Sequence, residues 1–405
     1  MDKILIIADD FTGANDTGVQ LKKRGLNTKV VLEGNRIEND GYSYVLDTES
    51  RALMSDKAKQ KIKNELISVD LNNYDLIYKK VDSTLRGNIS AEIKAIDELY
   101  NPSIIIFAPS YPDIGRTTID GIHLVNGKRI TQTEFSKDPK KPVLEDRLKY
   151  IFTDYSIDDV EAHKLNELRE GDLYLKHKHI HVFDIENNDD FKILLEKALT
   201  IDEKILWVGS AGLANELFKK LFPQKSAIAV VGSLSEVSKA QMRYANAKGV
   251  DIVKIDISKL LRNDDISNYV ETIRNLIKEN KDIIVTSSYD DEDYLNAIKT
   301  GEELSMSRED ISYFTQQILS KIIINSIQNL DISGLFITGG DTAIEFIKAT
   351  NASGSIIEEE VLTGIPMMKM CGGIYNGMKL ITKAGAFGDE NALIYSLEKI
   401  KEVKE

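Results

Sequence analysis

Two α/β domains, each built on a mostly parallel sheet and facing each other across an interdomain cleft, are the fold class this sequence predicts. Three observations carry that expectation. Short, near-continuous apolar runs alternate with polar or glycine-bearing turns and then with helical patterns, the rhythm of parallel α/β sheets. The runs fall into two sets separated by the polar, proline-containing stretch FPQKS at 222–226. With 405 residues, at about 150 per domain, the chain has room for two full cores.

In the first domain, residues 1–222, strands are expected at 3–8 (KILIIA), 43–47 (SYVLD), 75–79 (DLIYK), 103–108 (SIIIFA), 179–184 and 205–209 (ILWVG). Runs that are apolar throughout mark strands covered on both faces. A helix after the first strand runs to about Arg24 and is closed by Gly25. Leu85, Ile89, Ile93, Ile96 and Tyr100 keep helical spacing and predict a second helix from Leu85, and a third covers 213–221. Residues 134–177 carry few signals and read as a peripheral excursion. The second domain, residues 227–405, opens with AIAVVG at 227–232 and continues with strands at 251–255, 282–286, 334–337 and 379–382.

Composition narrows the class of function. Lys plus Arg number 52 against 65 Asp plus Glu, a formal charge of −13, so bulk attraction to nucleic acid or an anionic membrane is disfavoured. Any anion must be held by a local basic cluster. The single cysteine, Cys371, permits no internal disulfide and no Cys-built zinc module, which fits a reducing cytosol. No apolar stretch reaches bilayer-spanning length, and the opening MDKILIIADD lacks the features of a signal peptide. A cytoplasmic protein is expected, with neither nucleic acid nor membrane as partner. A homodimer is the base-rate expectation.

Ligands of open α/β sheets collect at the carboxyl ends of the strands. The first turn there is ADDFTGANDTG, 8–18. Strand alternation would turn only one of Asp9 and Asp10 toward a cleft. Carboxylates accept from hydroxyls, and one can take the proton of an attacking hydroxyl; ordinary turn and cap chemistry explains the same residues. The second turn, YKKVDSTLRGN at 78–88, sets Asp82, Ser83 and Thr84 at the expected helix start, with Lys79, Lys80 and Arg86 as a basic knot around it. A helix N-terminus with cations beside it suits a carboxylate or phosphate, although an N-cap with solvated lysines is the plain alternative. In TESRA, 48–52, Arg51 can clamp a carboxylate or simply face solvent. Arg116, in PSYPDIGRTTIDG at 109–121, carries the same ambiguity.

A fourth group lies in the second domain: VVGSLSE (230–236) with Ser233, TGGDTA (338–343) with Gly339, Gly340, Asp341 and Thr342, and TKAGAFGDENAL (382–393) with Lys383, Ala384, Gly385, Ala386, Phe387 and Gly388. Each follows an expected strand and offers Gly or Ser where backbone must approach a ligand closely. Neither a Walker A loop nor G-x-G-x-x-G occurs, so three separate loops would have to assemble the nucleotide site. His177, His179 and His181 alternate as a metal set would, but no further ligands accompany them, and no metal ligands are assigned. Cys371 is expected as a buried structural thiol, Trp207 as core, and the GSAG turn at 209–212 as either a cleft wall or a tight helix contact.

ADDFTGANDTG, TESRA, YKKVDSTLRGN, GRTTIDG followed by TEFSKDP, GSAGLA, VVGS, TGGDTA and KAGAFG stand in the order shown by the four-carbon acid sugar kinases, and the sequence resembles that family from about residue 3 to about 393. The first three motifs are most similar to those of members acting on D-threonate, with erythronate and 3-oxo-tetronate members close by. The resemblance implies an N-terminal domain for the acid sugar and a C-terminal domain for ATP, with Mg²⁺ bridging the phosphates. It implies that Asp9, Arg51 and residues 80–84 hold the acid, and that Ser233, Gly339 and residues 384–388 hold the nucleotide. Asp9 or Asp10 is the expected proton acceptor, with Asp82 in reserve; the acid's carboxylate is expected on the basic helix N-terminus with Arg51 as a second clamp, and Lys383 with the glycine-loop amides takes phosphate charge. After Lys383 the family pattern often reads Ser-Gly-Gly-Phe-Gly, whereas this chain has Ala384 and Ala386 at the first and third places. Two other readings compete: a sugar-acid receptor with a regulatory nucleotide, and a nicotinamide-dependent dehydrogenase, which the missing G-x-G-x-x-G argues against.

Overall fold

The computed structural model describes residues 3–38, 40–171, 173–175 and 178–402. They divide into two compact units, Met1–Pro223 and Gln224–Glu405. In the first, the strands in chain order are β1 (Ile4–Ala8), β2 (Thr28–Leu32), β3 (Ser43–Asp47), β4 (Leu76–Lys80), β5 (Ile104–Ala108), β6 (Arg116–Ile119), β7 (Ile122–Val125), β8 (Lys128–Arg129), β9 (Val160–His163), β10 (Ile180–Phe183) and β11 (Ile205–Gly209). Eight of them form one parallel sheet in the order β2-β3-β1-β4-β11-β5-β10-β9, and β6, β7 and β8 make a small antiparallel sheet. Every residue of β1, β3, β4 and β5 is buried, as doubly covered strands require. Leu5, Ile7, Ile93 and Ile96 pack on one face of the sheet, and Ile4, Ile6, Ala14 and Leu21 on the other.

The sequence expectation differs from this unit at identifiable places. The helix expected from Leu85 starts at Ile89, with Asn88 at its N-cap. Leu85 (φ 59°) and Gly87 (φ 113°) adopt left-handed backbone, which keeps 81–88 as a loop despite the helical spacing. Strand β2 escapes a periodicity reading because TKVVL is an edge strand with no fully buried residue. Residues 134–177 contain β9, the outermost strand of the sheet, as well as short helical turns. Trp207 is buried on β11, as expected of a core residue. Of the three alternating histidines, His177 lies outside the described residues; His179 bonds Asp97 and His181 bonds His163, so the latter two serve different partners.

The second unit has β12 (Ala227–Val231), β13 (Asp251–Lys254), β14 (Ile283–Thr286), β15 (Gly334–Thr338), β16 (Gly354–Leu362), β17 (Ile365–Cys371) and β18 (Lys379–Lys383), in the order β13-β14-β12-β15-β18-β17-β16. The first five are parallel, and β16 with β17 is an antiparallel hairpin joined to β18. The hairpin was not expected: β16 buries only Val361 and carries three consecutive glutamates, so it shows no apolar run. Cys371 at the end of β17 is half-buried, not buried. No described helix is long and apolar enough to cross a membrane.

In each sheet the strand order reverses beside the first strand. β3 and β4 flank β1, and β14 and β15 flank β12. The carboxyl ends of β1 and β4 in one unit, and of β12 and β15 in the other, are therefore the crevices where ligands gather in such folds.

Candidate active site

At the carboxyl end of β1, Arg51 reaches over from the turn after β3 and binds both acids. Its Nε and Nη2 donate to Asp9 Oδ2 and Oδ1 at 2.7 and 2.8 Å, and its Nη1 and Nη2 donate to Asp10 Oδ2 and Oδ1 at 2.6 and 2.7 Å. Four of the five guanidinium N–H groups are thereby engaged. Two expectations change as a result. Asp9 and Asp10 do not diverge, because β1 ends at Ala8 and strand alternation stops there. Arg51 fixes the two aspartates and has no pair of donors left for a substrate carboxylate. Asp9 is buried, while Asp10 is partly open and caps the helix Phe11–Lys23 by accepting from Gly13 N at 3.0 Å. Burial, opposed by Arg51, raises the Asp10 pKa above the usual carboxylate value.

The two lysines of β4 point to opposite faces. Lys79 turns into the core and pairs with Glu92 at 2.6 Å, so it is not part of the basic knot. Lys80 is also buried, yet its ammonium has no hydrogen bond or ion pair among the described residues. Burial lowers its pKa, against the pull of Asp9, Asp10 and Asp82. A Cβ on Gly13 would stand 2.8 Å from Lys80 Nζ, so the glycine makes room for the ammonium.

Around this centre the loop 81–88 is tightly held. Asp82 Oδ2 accepts from Thr84 Oγ1 and Arg86 Nε, each at 2.5 Å, and Arg86 also binds Asp138. Burial alone would push Asp82 up, but Arg51 and these bonds hold it below the ordinary carboxylate value. Arg86 is therefore a brace, not a free cation. The Ser83 carbonyl accepts from His123 Nε2 at 2.8 Å, while the Ser83 hydroxyl is half-buried and unengaged among the described residues. Asn88 donates to the carbonyls of Ser50, Arg51 and Leu53, which latches the TESRA turn to this loop. His123 and Asn88 were missed in the sequence, since neither stands at a strand end. Arg116 folds back on the Ile114 carbonyl and does not bond to this cluster.

In the second unit the turns after β12, β15 and β18 meet. Gly232 N donates to the Thr338 carbonyl and Gly339 N to the Lys383 carbonyl. A Cβ on Gly232 would lie 2.1 Å from Thr342 Oγ1, and one on Gly385 2.2 Å from Ser233 Oγ, so in this arrangement each glycine makes room for a hydroxyl of the neighbouring turn. Gly339 caps the helix Gly340–Ala349 without a side-chain bond, which leaves the N–H groups at Gly340, Asp341 and Thr342 for an anion.

Lys383 differs from its expected role. Its ammonium is buried and donates to the carbonyls of Ala384, Gly385 and Phe387 at 3.1, 2.9 and 3.1 Å. It shapes the loop from behind, and burial lowers its pKa to about 8. Ser235 and Ser238 donate to the Gly385 carbonyl, and Gln241 to those of Phe387, Gly388 and Asp389. Ala384 and the 386–388 stretch are exposed, so the methyl of Ala386 lies outside this bonding. Beside Gly232, Gly339 and Thr342 opens a cavity of about 210 Å³ with an apolar floor of Ile257, Ala297, Ile298 and Leu319 and polar Ser287, Ser288 and Gln316. These residues were not singled out in the sequence because most sit within helices, where core and pocket positions share one period.

One cluster thus gathers acids around a buried ammonium, and the other sets glycine turns beside a cavity with an apolar floor. Residues 4–217 match the family described as sugar-binding N-terminal domain, and residues 228–393 the nucleotide-binding C-terminal domain. A D-threonate kinase of Salmonella typhimurium is 34% identical, over 99% of this chain and 99% of that enzyme. This chain belongs to the four-carbon acid sugar kinases. A D-erythronate kinase of Heliobacterium modesticaldum is 26% identical over 97% of this kinase and 95% of its own length. A Bordetella bronchiseptica protein, described as a domain of unknown function and crystallised with bound citrate as a domain-swapped dimer, shares the fold with a TM-score of 0.66 at 23% identity, covering 99% of each chain. The kinase is thus an enzyme that transfers phosphate to an alcohol, and the receptor and dehydrogenase readings fall away.

Proposed function

We propose that this kinase phosphorylates the terminal hydroxyl of D-threonate with ATP, giving D-threonate 4-phosphate and ADP. The observation that carries the reading is Lys80, a buried ammonium with no hydrogen bond or ion pair among the described residues, beside the Asp9–Arg51–Asp10 triad. An unpaired buried cation demands an anion, and a carboxylate that carries hydroxyls satisfies both Lys80 and the neighbouring acids. The relative with 34% identity acts on D-threonate by name, and the Bordetella protein holds citrate, another hydroxylated carboxylate.

In this proposal Lys80 and the Ser83 hydroxyl bind the acid's carboxylate, and Arg51 holds Asp9 and Asp10 in fixed orientation. Asp10, the more open of the two and raised in pKa, accepts the proton of the terminal hydroxyl. That oxygen forms its bond to the γ-phosphorus as the bond to the β-phosphate oxygen breaks, in line, and ADP leaves. The adenosine enters the cavity over Ile257 and Ile298, with its phosphates on the N-terminus of helix Gly340–Ala349 and the loop 384–388. Asp341, exposed at that helix start and the one carboxylate lining the cavity among the described residues, fits Mg²⁺, which takes one or two carboxylates and keeps several waters. Mg²⁺ there would neutralise phosphate charge. As a metabolic ATP consumer the enzyme belongs in the cytoplasm, and a homodimer is proposed from the Bordetella likeness, to be checked by light scattering.

The test is a panel of D- and L-threonate, D- and L-erythronate and 3-oxo-tetronates against Mg·ATP, with ADP release and phosphorylated product both recorded. D-threonate should give the highest kcat/KM, and Lys80→Ala should abolish turnover. ADP release indifferent to every four-carbon acid would refute the assignment, and a preference for erythronate or a 3-oxo acid would move the enzyme to that branch of the family.

A further inference from the structure

On the outer edge of the first unit's sheet, β9 and β10 run in parallel with Glu161 opposite His181 and His163 opposite Phe183. His163 Nε2 lies 2.8 Å from His181 Nδ1, and one oxygen of Glu161 joins them, the three donor atoms all within 4.8 Å of one another. We propose that Glu161, His163 and His181 bind one zinc-class divalent ion that clips β9 to β10.

Three features favour an ion over a mere histidine pair. Glu161 Oε2 is shielded from solvent, 3.7 Å from His181 Nδ1, and has no hydrogen-bond partner among the described residues. A shared proton between the imidazoles leaves that oxygen unserved, and a shielded carboxylate oxygen without a donor is costly. His181 Nε2 bonds the Lys178 carbonyl at 3.0 Å, which places its proton there and leaves Nδ1 with its lone pair, the outer-shell arrangement of metal-bound histidines. His163 is fixed as well, its ring stacked on Phe183 at 4.7 Å between centroids.

On binding, the ion takes the place of the proton between the two nitrogens, and His163 carries its proton on Nδ1 instead, so none is released. The nitrogens part from 2.8 Å to about 3.3 Å, the edge of a tetrahedron whose ligands stand about 2.0–2.1 Å from zinc. Water fills the fourth place, entering past Glu161, whose side chain is 37% exposed. Both strands lie beyond β11 and β5 from Lys80, so the site is separate from the phosphoryl-transfer residues.

The experiment titrates full-length, chelator-treated protein with Zn²⁺ by calorimetry, and with Co²⁺ as an optical probe, without nucleotide. One ion per chain is expected, with a zinc-dependent rise in melting temperature. His163→Gln and Glu161→Gln should each weaken binding by more than about 10-fold, the least that loss of even an outer-shell partner costs, and the zinc-dependent rise in melting temperature should shrink in both variants. Glu161 reaches the surface, so Glu161→Gln keeps the test decisive if His163→Gln does not fold. Absence of saturable uptake by the unsubstituted protein, or unchanged affinity in the folded variants, overturns the proposal.

Discussion

Arg51 and Asp9 meet as a two-pronged ion pair, Nε to Oδ2 at 2.7 Å and Nη2 to Oδ1 at 2.8 Å, and the same guanidinium holds Asp10. Parallel bonds of this kind set orientation as well as charge, and a lysine cannot reproduce them. Without the bridge two adjacent carboxylates repel each other. Arg51→Lys should therefore lower kcat/KM for the acid by about 100-fold, about 2.7 kcal/mol of transition-state stabilisation, while KM for ATP stays unchanged. Steady-state kinetics with each substrate varied in turn checks it; a loss under tenfold would mean that Arg51 merely fills space.

Gly13 gives a separate handle on the same centre. A methyl group there would lie 2.6 Å from Asp10 Oδ1 and 2.8 Å from Lys80 Nζ. Alanine favours the helix over glycine by about 1 kcal/mol, and both displaced atoms are side-chain ends that can swing away. Gly13→Ala should keep its melting temperature within a few degrees and raise KM for the acid at least about tenfold, equivalent to about 1.4 kcal/mol. Lost activity accompanied by a collapsed melting temperature would refute this division.

The two sheets were legible in the sequence because doubly covered strands such as Ile4–Ala8 and Ile104–Ala108 are apolar throughout. The positions of Asp9 and Lys80 were legible too, since strand ends in such sheets face the ligand crevice. Their partners were not. Lys79 and Lys80 are identical in type, and only the register of β4 sends one to Glu92 and leaves the other open. Leu85 fits a helical period, yet its positive φ is imposed by the loop that Asn88 latches. Lys383 beside glycines reads as a phosphate ligand, and only the folded loop turns its ammonium inward to three carbonyls.

If the loop 384–388 holds ATP as proposed, that inward turn should make nucleotide binding sensitive to pH. Burial lowers the Lys383 pKa from 10.5 to about 8, so its charge is lost as pH rises through 8. A neutral amine donates fewer hydrogen bonds, the loop 384–388 loosens, and KM for ATP should rise between about pH 7 and 9. Stability moves oppositely. The unfolded lysine keeps its proton up to its ordinary pKa, so between 8 and 10.5 the unfolded state binds more protons and this group's contribution to folding stability grows with pH. Lys383→Met should flatten both profiles, and kinetics paired with urea unfolding across that range reads them; an ATP KM indifferent to pH in the unsubstituted enzyme would contradict the role given to the ammonium.

Beneath the site, Lys79 and Glu92 form an ion pair at 2.6 Å with side chains 0% and 1% exposed. Burial raises the Glu92 pKa, and Lys79 opposes it. Glu92 also accepts from Ser50 Oγ at 2.7 Å, which ties the pair to the turn that carries Arg51. Two buried charges are costly to desolvate, so their net contribution is small, but either one left alone is an uncompensated charge in the core. Lys79→Met should cost about 3–5 kcal/mol, and Glu92→Leu a similar amount, whereas the double variant should recover most of the loss. The turn at Ser50 loses its acceptor in any variant lacking Glu92, so Glu92→Leu and the double variant should share a raised KM for the acid even where the double variant has regained its stability. Urea unfolding midpoints and acid kinetics on all three proteins separate the two effects; if the single losses simply add in the double variant, the pair is not the coupled unit its geometry indicates.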